Sequence, residues 1–94
     1  GVFEGTLVGE GAVLAPGVQL TSATTVYDLV RQTTYSSSPG QPLTIPGGAV
    51  VVPGSRPARG DFASQENLQL YAPVIVKYRD NSTDAATILE GDLR

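Results

Sequence analysis

The chain has 94 residues, a net charge of −3, and neither cysteine nor histidine. Without cysteine there is no disulfide, thiolate nucleophile or thiol-ligated metal, and without histidine the commonest general base and metal ligand are missing. The negative charge gives no basic footprint for nucleic acid, and no apolar run approaches the roughly 20 residues of a membrane span. We therefore expect no metal, no nucleic-acid partner and no membrane insertion.

Aliphatic residues recur every six positions in the first part of the chain. They are Val2, Val8, Leu14, Leu20 and Val26. Glycine or alanine follows each of the first four after three positions, and a small or β-branched residue comes next. This period fits neither a helix nor an alternating strand, but it is typical of short strands joined by sharp corners. The pattern predicts a hexapeptide parallel β-helix, the alternative being a β-rich domain with accidental spacing.

Three hexads close one triangular turn of such a helix, so residues eighteen apart are predicted to stack: Val2 under Leu20 and Val8 under Val26. The spacing alone does not set the handedness of the winding. The repeat ends at residue 27. Because repeat folds usually need three or more units, we expect this segment to stack on further coils, and the chain to be a piece of a longer protein.

Residues 28–45 break the period, and Thr33–Gly40 is predicted to be a polar loop because it is rich in serine, proline and glycine. Residues 50–53 read as a short buried strand, and residues 68–78 as a strand with alternating apolar side chains. We expect these two strands to pair antiparallel across a long loop.

Two further predictions concern the second half of the chain. Pro73 indicates that its strand lies at a sheet edge or a bulge, because proline cannot donate to a ladder. Residues 55–66 look exposed. Near the end, Ser82–Asp84 is predicted to cap a helix over residues 85–93 whose apolar side chains fall on one face.

Five segments carry a likeness to a known family. They are residues 2–18, 24–28, 45–57 (IPGGAVVVPGSRP), 70–77 (LYAPVIVK) and 89–94 (LEGDLR). In this order they resemble the C-terminal part of the bacterial tetrahydrodipicolinate N-succinyltransferases, members of the hexapeptide-repeat acyltransferase superfamily. The hexads alone would specify only the superfamily, whereas the valine strand, the tyrosine-containing strand and the ending narrow the likeness.

The resemblance implies an all-β chain with left-handed parallel β-helix end coils over residues 1–27. A cap of the same domain over residues 28–94 would then hold a loop, an antiparallel strand pair and a short C-terminal helix. It also implies a cytoplasmic homotrimer that binds succinyl-CoA in a groove between neighbouring β-helices. Succinyl would pass to the amine derived from tetrahydrodipicolinate, a step of lysine and diaminopimelate biosynthesis. We expect the isolated chain to be inactive, because the acceptor-binding parts are missing from it.

Some positions depart from the family's pattern. Ala72-Pro73 stand where Cys-Ala is usual, Thr25 where a basic residue is common, and Ala15-Pro16 where a Ser-Met or Gly-Met pair is usual. The serine-rich loop and residues 61–67 look like insertions. These differences concern the contacts with the cofactor more than the fold.

Acyl transfer to an amine needs a group that accepts the proton of the amine. With neither histidine nor cysteine present, a carboxylate is the remaining candidate. Glu4 lies two residues after the inward Val2 and should face outward, and the resemblance matches it to a glutamate with a catalytic role. The alternative is a solvated corner charge, which Glu10 supports because it occupies the same hexad position.

Five further residues are candidates for cofactor binding: Ala15, Gly17, Arg56, Arg59 and Lys77. Backbone groups at the first two could line the pantetheine arm, since glycine permits close approach; the alternative is that Gly17 only makes the turn. The two arginines and the lysine could meet phosphates. Alternatively, the arginines are ordinary surface charges and the lysine guards an edge strand.

Two rival functions stay open at this point. The chain could be a non-catalytic trimerisation and capping module, which the activity of the isolated chain would distinguish. It could also belong to another hexapeptide acyltransferase that acts on sugars or serine, although most of those use a histidine base. The tripeptides Arg59–Asp61 and Asn81–Thr83 spell an adhesion and a glycosylation motif, and both are common by chance.

Overall fold

Residues 6–79 are described by a computed structural model, which is mainly β-sheet with one short helix. In chain order the elements are β1 (Thr6–Val8), β2 (Val13–Leu14), β3 (Val26–Asp28), β4 (Thr33–Tyr35), β5 (Leu43–Ile45), β6 (Ala49–Pro57), α1 (Asp61–Gln65) and β7 (Gln69–Tyr78). The predicted mainly β class is confirmed. The predicted helix over residues 85–93 lies outside the described residues.

Two segments of the chain stack on each other as parallel layers. β1 pairs with β5 and β2 pairs with β6, and Val8 lies opposite Ile45 just as Leu14 lies opposite Val51, in both cases 37 residues later. The corner between the strands is stacked as well, because the Gly9 N–H donates to the Ile45 carbonyl at 2.8 Å. Residues 6–15 and 43–52 therefore form two successive layers of one parallel coil.

The predicted stacking of Val8 under Val26 is wrong, and the stacking of Val2 under Leu20 involves Val2, which lies outside the described residues. Val26 instead pairs with Tyr35, because β3 and β4 form an antiparallel hairpin. This hairpin carries the chain away from the coil before it returns at β5. The spacing between stacked layers is therefore 37 residues where the hexads predict eighteen.

The larger sheet has the strand order β2-β6-β7-β3-β4. The predicted antiparallel pair is confirmed and is longer than expected, since β6 pairs with β7 from Ala49 opposite Tyr78 to Pro57 opposite Gln69. Thr33–Tyr35, predicted as part of a loop, forms β4 and extends the sheet. Residues 55–57 were predicted to lie in an exposed loop but belong to β6. The short helix α1 follows, and its Ala63 side chain is buried.

Pro73 predicted a sheet edge or a bulge for its strand. β7 lies between β6 and β3, and its ladder with β6 has a register shift between Val50 and Val51, which face Lys77 and Ile75. Pro73 faces Pro53 across the ladder, and since neither has an N–H, this pair must be of the non-hydrogen-bonded type. On its other side, β7 begins to pair with β3 only at Val74. The sheet therefore tolerates Pro73 because no ladder bond requires its nitrogen.

The core is formed jointly by the stacked layers and the larger sheet, which share β2 and β6. Its fully buried aliphatic side chains come from the coil, from the strands and from the corner after β2, and they include Leu20, Val26, Leu43, Ile45, Val51 and Ile75. Leu20 and Val26 belong to the six-residue pattern, and their burial agrees with the predicted inward aliphatic column. Val8, by contrast, is 41% exposed.

Gly9 allows the two layers to approach each other closely. A Cβ added there would lie 2.5 Å from the Gly47 nitrogen and 2.6 Å from the Ile45 oxygen, both of which are backbone atoms that cannot rotate away. We expect Gly9→Ala to lower the free energy of unfolding by about 3 kcal/mol. Urea unfolding followed by circular dichroism measures this loss.

Gly40→Ala is the matched control for Gly9→Ala. Gly40 has a φ of +77° but no neighbour within 4 Å of an added Cβ, so only backbone strain of about 1 kcal/mol is expected. Equal losses for the two variants would contradict close stacking at Gly9.

Candidate functional site

A cleft of about 260 Å³ opens where β6, β7 and the start of β3 meet the corner at residues 21–25. Its lining combines one cation, several hydroxyl groups and a small apolar floor: Thr21, Ala23, Thr24, Thr25, Tyr27, Arg56, Tyr71, Ala72 and Pro73. None of these side chains is acidic. The cleft therefore suits a group that carries negative charge.

The strand registers place the main polar groups of the cleft on one face of the sheet. Gly54 lies opposite Ala72, and Tyr27 lies opposite Val74, two residues further along β7. Since side chains alternate along a strand, Arg56, two residues beyond Gly54, shares this face with Tyr27. On the intervening β7, Leu70 lies opposite Arg56 and Val74 opposite Tyr27, and the small Ala72 lies between them and lines the cleft.

The charge of Arg56 is not neutralised within residues 6–79. Arg56 is half-buried, and no carboxylate in this range forms an ion pair with it. The Tyr27 hydroxyl likewise has no hydrogen-bond partner among these residues. A guanidinium and a phenol hydroxyl that line one cleft without protein partners are both available to a ligand.

Tyr71 connects the cleft to the coil. Its hydroxyl accepts a hydrogen bond from the Gln19 N–H at 2.8 Å, although its side chain is 46% exposed. Gln19 follows the corner at Gly17, so this bond fixes the position of β7 relative to that corner. One wall of the cleft is thereby held against the stacked layers.

The corner at residues 21–25 is fixed by its own threonines. The Thr21 N–H donates to the Thr24 Oγ1 at 2.9 Å, and the Thr24 N–H donates to the Thr21 carbonyl at 3.1 Å. The Thr21 Oγ1 also accepts from the Ala23 N–H at 3.1 Å. These reciprocal bonds close a tight turn, which presents hydroxyl groups at the cleft on a rigid backbone.

Behind the cleft, a buried carboxylate joins three elements. Asp28, only 3% exposed, accepts hydrogen bonds at Oδ1 from the backbone N–H groups of Val30 and Arg31 at 2.9 and 3.0 Å. At Oδ2 it accepts from the hydroxyls of Tyr35, at 2.9 Å, and of Tyr78. The carboxylate therefore connects β3 with β4 and β7, and it fixes Tyr27, the neighbouring residue in the cleft.

The hydrogen bonds decide the ionisation of this group. Burial by itself would raise the pKa of Asp28, but the bonds from Tyr78, Arg31, Tyr35 and Val30 together hold the pKa below its ordinary value. Burial and the hydrogen bond to Asp28 raise the pKa of Tyr78. The Arg31 guanidinium lies 4.0 Å from the centre of the Tyr78 ring, a cation–π contact that adds positive charge near the carboxylate.

The predicted cofactor residues lie in three places: the segment after β2 (Ala15, Gly17), β6 and the segment after it (Arg56, Arg59), and β7 (Lys77). Ala15 is buried, and its N–H donates to the Val51 carbonyl at 2.9 Å. Gly17 turns the corner with a φ of +90°, and a Cβ there would lie 3.4 Å from the ring of Pro53. Arg56 follows Pro53 by three residues on β6, about 10 Å along the strand.

The other predicted site residues lie away from the cleft. Arg59 is exposed and follows the end of β6, and Lys77 is exposed near the opposite end, where it pairs with Val50. The paired positions of β3 and β7 are Val74 and Ile75 on β7, so the interpretation of Lys77 as the guard of a strand edge stays a prediction. Glu4 lies outside the described residues.

Sequence reasoning missed the roles of Tyr27, Tyr71 and Asp28. Tyr71 and Gln19 are separated by 52 positions, and Asp28 and Tyr78 by 50, so no local pattern relates the members of either pair. The one available indication was an acid directly after an apolar strand residue at the point where the hexad period ends.

Neither a metal site nor a membrane span is found in this part of the chain. Among residues 6–79, no three carboxylate, histidine or cysteine side chains come together as metal ligands. The one helix in the same range is far too short to cross a membrane.

Comparison with known proteins relates the chain to one group of enzymes. It is 40% identical over 93 residues to the 2,3,4,5-tetrahydropyridine-2,6-dicarboxylate N-succinyltransferase of Acinetobacter baylyi, covering 99% of this chain and 30% of that protein. The enzymes of the same name from Azoarcus sp. and Parvibaculum lavamentivorans are 42% and 37% identical over 94 and 93 residues. Each alignment again covers 99% of this chain, and 30% and 31% of the respective enzyme. No family model matches the chain.

The resemblance read from the sequence is therefore confirmed: the chain is homologous, over almost all of its own length, to these N-succinyltransferases. It spans about 30% of the length of the curated relatives it matches.

We expect Asp28→Asn to destabilise the chain by about 2–3 kcal/mol at pH 7, because the tyrosine and backbone donors lose a charged acceptor. The contribution of Asp28 is fully present above roughly pH 4, the ordinary pKa of an aspartate, and is lost as the pH falls through the lower pKa of the folded chain. The variant should therefore lose less stability than the wild type between pH 5 and pH 2 in urea unfolding.

Tyr35→Phe is the control for Asp28→Asn. It removes one hydrogen bond and keeps the carboxylate, so we expect a loss of about 1 kcal/mol and an acid dependence close to that of the wild type. If Asp28→Asn unfolded with the wild-type acid dependence, Asp28 would not be the group that titrates.

Proposed function

We propose that this chain is part of a CoA-dependent N-succinyltransferase that transfers succinyl from succinyl-CoA to the amine derived from tetrahydrodipicolinate. The observation that carries this proposal is the identity of about 40% to N-succinyltransferases over 99% of the chain. The cleft supports it, since a cationic and hydroxyl-lined site suits the anionic groups of such substrates. The step belongs to lysine and diaminopimelate biosynthesis in the cytoplasm.

The chemistry of the transfer defines what the protein must supply. The amine nitrogen attacks the thioester carbonyl, an oxyanion forms on the carbonyl oxygen, and the C–S bond breaks to release CoA as its thiolate. The attacking nitrogen loses a proton in the process, so a base must stand within hydrogen-bond reach of it. The chain contains no histidine. We assign the role of base to Glu4.

The coenzyme would follow the outer edge of the stacked layers. The positive-φ corner at Gly17 lets the backbone approach a pantetheine arm, and Arg56 lies about 10 Å further along β6. Arg59 and Lys77 would supply further positive charge at the two ends of this path. We propose that the working enzyme is a homotrimer of left-handed β-helices, with the coenzyme in the groove between neighbours.

Succinyl-CoA binding tests the proposal on the chain itself. We expect isothermal titration calorimetry to detect binding, and light scattering to give the mass of a trimer. We expect no release of CoA in the presence of the amine substrate, because the chain spans about 30% of the length of its relatives. A matched titration with CoA-free succinate controls for binding of the acyl part alone.

The opposite results would contradict the proposal. If a folded chain showed no heat with succinyl-CoA and the mass of a monomer, residues 6–79 would contribute neither to the coenzyme groove nor to the trimer. If the trimer formed without binding the coenzyme, the chain would act as an assembly module.

Glu4→Gln tests the assignment of the base. In the enzyme that carries this chain, we expect kcat to fall by about 10²–10⁴-fold while KM changes little, because the neutral amide cannot accept a proton. The rate is measured by thiol release from succinyl-CoA.

Glu10→Gln provides the control, since Glu10 occupies the same position in the next hexad and is exposed. We expect its rate to stay within twofold of the wild type. A Glu4→Gln enzyme with full activity would show that Glu4 is only a solvated corner charge.

A further inference from the structure

The sheet surface between Arg56 and Tyr27 is uneven. Leu70 lies opposite Arg56, Val74 lies opposite Tyr27, and the small Ala72 lies between them on β7. A Cβ added to Gly54 would lie 2.7 Å from a Val74 methyl group and 2.9 Å from the Ala72 oxygen, so the Val74 side chain covers Gly54. The floor of the cleft is therefore formed by Ala72 and Pro73, which line it.

The polar ends of the Arg56 and Tyr27 side chains border the cleft. The Arg56 guanidinium has no carboxylate partner within residues 6–79, and the Tyr27 hydroxyl has no hydrogen-bond partner in that range. β7 separates the strands that carry them by two spacings of about 4.8 Å, and their partners on β7, Leu70 and Val74, are four residues apart. The two Cα atoms are therefore roughly 16 Å apart. The long Arg56 and Tyr27 side chains, which line the same cleft, can bridge such a span with one anion between them.

The size of the cleft limits what it can hold. Its volume of about 260 Å³ lies just below the 300–1,000 Å³ that is usual for sites of whole drug-sized ligands. A single terminal group fits these dimensions better than a complete coenzyme. Because the guanidinium offers paired donors, a planar carboxylate or a phosphate is the chemistry it recognises.

We infer that Arg56 and Tyr27 together bind one anionic end group, a phosphate or a carboxylate, over the floor formed by Ala72 and Pro73. Arg56 supplies the charge, and Tyr27 donates its phenolic hydrogen to a second oxygen of the same group. The hydrogen bonds of Asp28 position Tyr27 from behind. The identity of the molecule that bears the anion rests on the proposed function, whereas the site itself does not.

The direct test is a titration of the ¹³C-methyl-labelled chain with inorganic phosphate and, separately, with succinate, followed by NMR. The methyl group of Ala72 forms part of the floor and reports occupancy. We expect saturable shifts of this methyl group and of the Arg56 Nε–H with at least one of the two anions. A response to phosphate alone assigns the site to a phosphate ester, and a response to succinate alone assigns it to a carboxylate.

The variants separate a built site from general charge attraction. We expect Arg56→Gln to weaken binding at least tenfold and Tyr27→Phe, which removes only the hydroxyl, to weaken it roughly threefold to tenfold. Arg79→Gln carries the same loss of charge just after the end of β7, outside the cleft, and should stay within twofold of the wild type.

Several outcomes would overturn the inference. These are absence of a saturable shift at Ala72 with either anion, an equal effect of Arg56→Gln and Arg79→Gln, or wild-type binding by Tyr27→Phe. The proposed function fails separately, since a chain that binds phosphate but not succinyl-CoA would retain the anion site and lose the coenzyme assignment.

Discussion

The stacking of residues 6–15 on residues 43–52 is the constraint on which the rest of the structure depends. Both strand pairs of this stack keep the same offset of 37 residues, and the Gly9 N–H binds the carbonyl of Ile45 at the corner between them. The offset fixes where β6 begins. β6 in turn pairs with β7 at nine positions and so fixes the register of β7. A bulky residue at Gly9 would separate the layers and release this whole arrangement.

The cleft follows from that placement. β6 brings Arg56 to the sheet face that Tyr27 shares, and the bond from Gln19 to Tyr71 holds β7 against the coil. Asp28 then fixes β3 on the far side of β7. The site therefore needs no loop of its own, because two strand registers and one buried carboxylate position its polar groups. The resulting cleft, which contains Arg56 and no acidic side chain, agrees with the proposal that the chain binds an anionic substrate for a succinyltransferase.

The sequence predicted what depends on short-range pattern. The six-residue period gave the inward column that includes Leu20 and Val26, and alternation gave β7 and its antiparallel partner. The stacking partner of Val8 was predicted wrongly, because the period says nothing about a hairpin inserted between two layers. Arg56 was a candidate because a guanidinium can bind phosphates. Tyr27 was not, because its role depends on a register between β3 and β7 that no local spacing encodes.

Amide hydrogen exchange tests the stacked layers most directly. The N–H groups of Gly9, Ala15 and Gly48 all donate across the stack, to the carbonyls of Ile45, Val51 and Glu10, respectively. If the layers are stacked as described, these three amides exchange as slowly as those of the β6–β7 ladder, since only global unfolding exposes them. If they exchange at the rate of exposed turns while the ladder stays protected, residues 6–15 do not stack on residues 43–52.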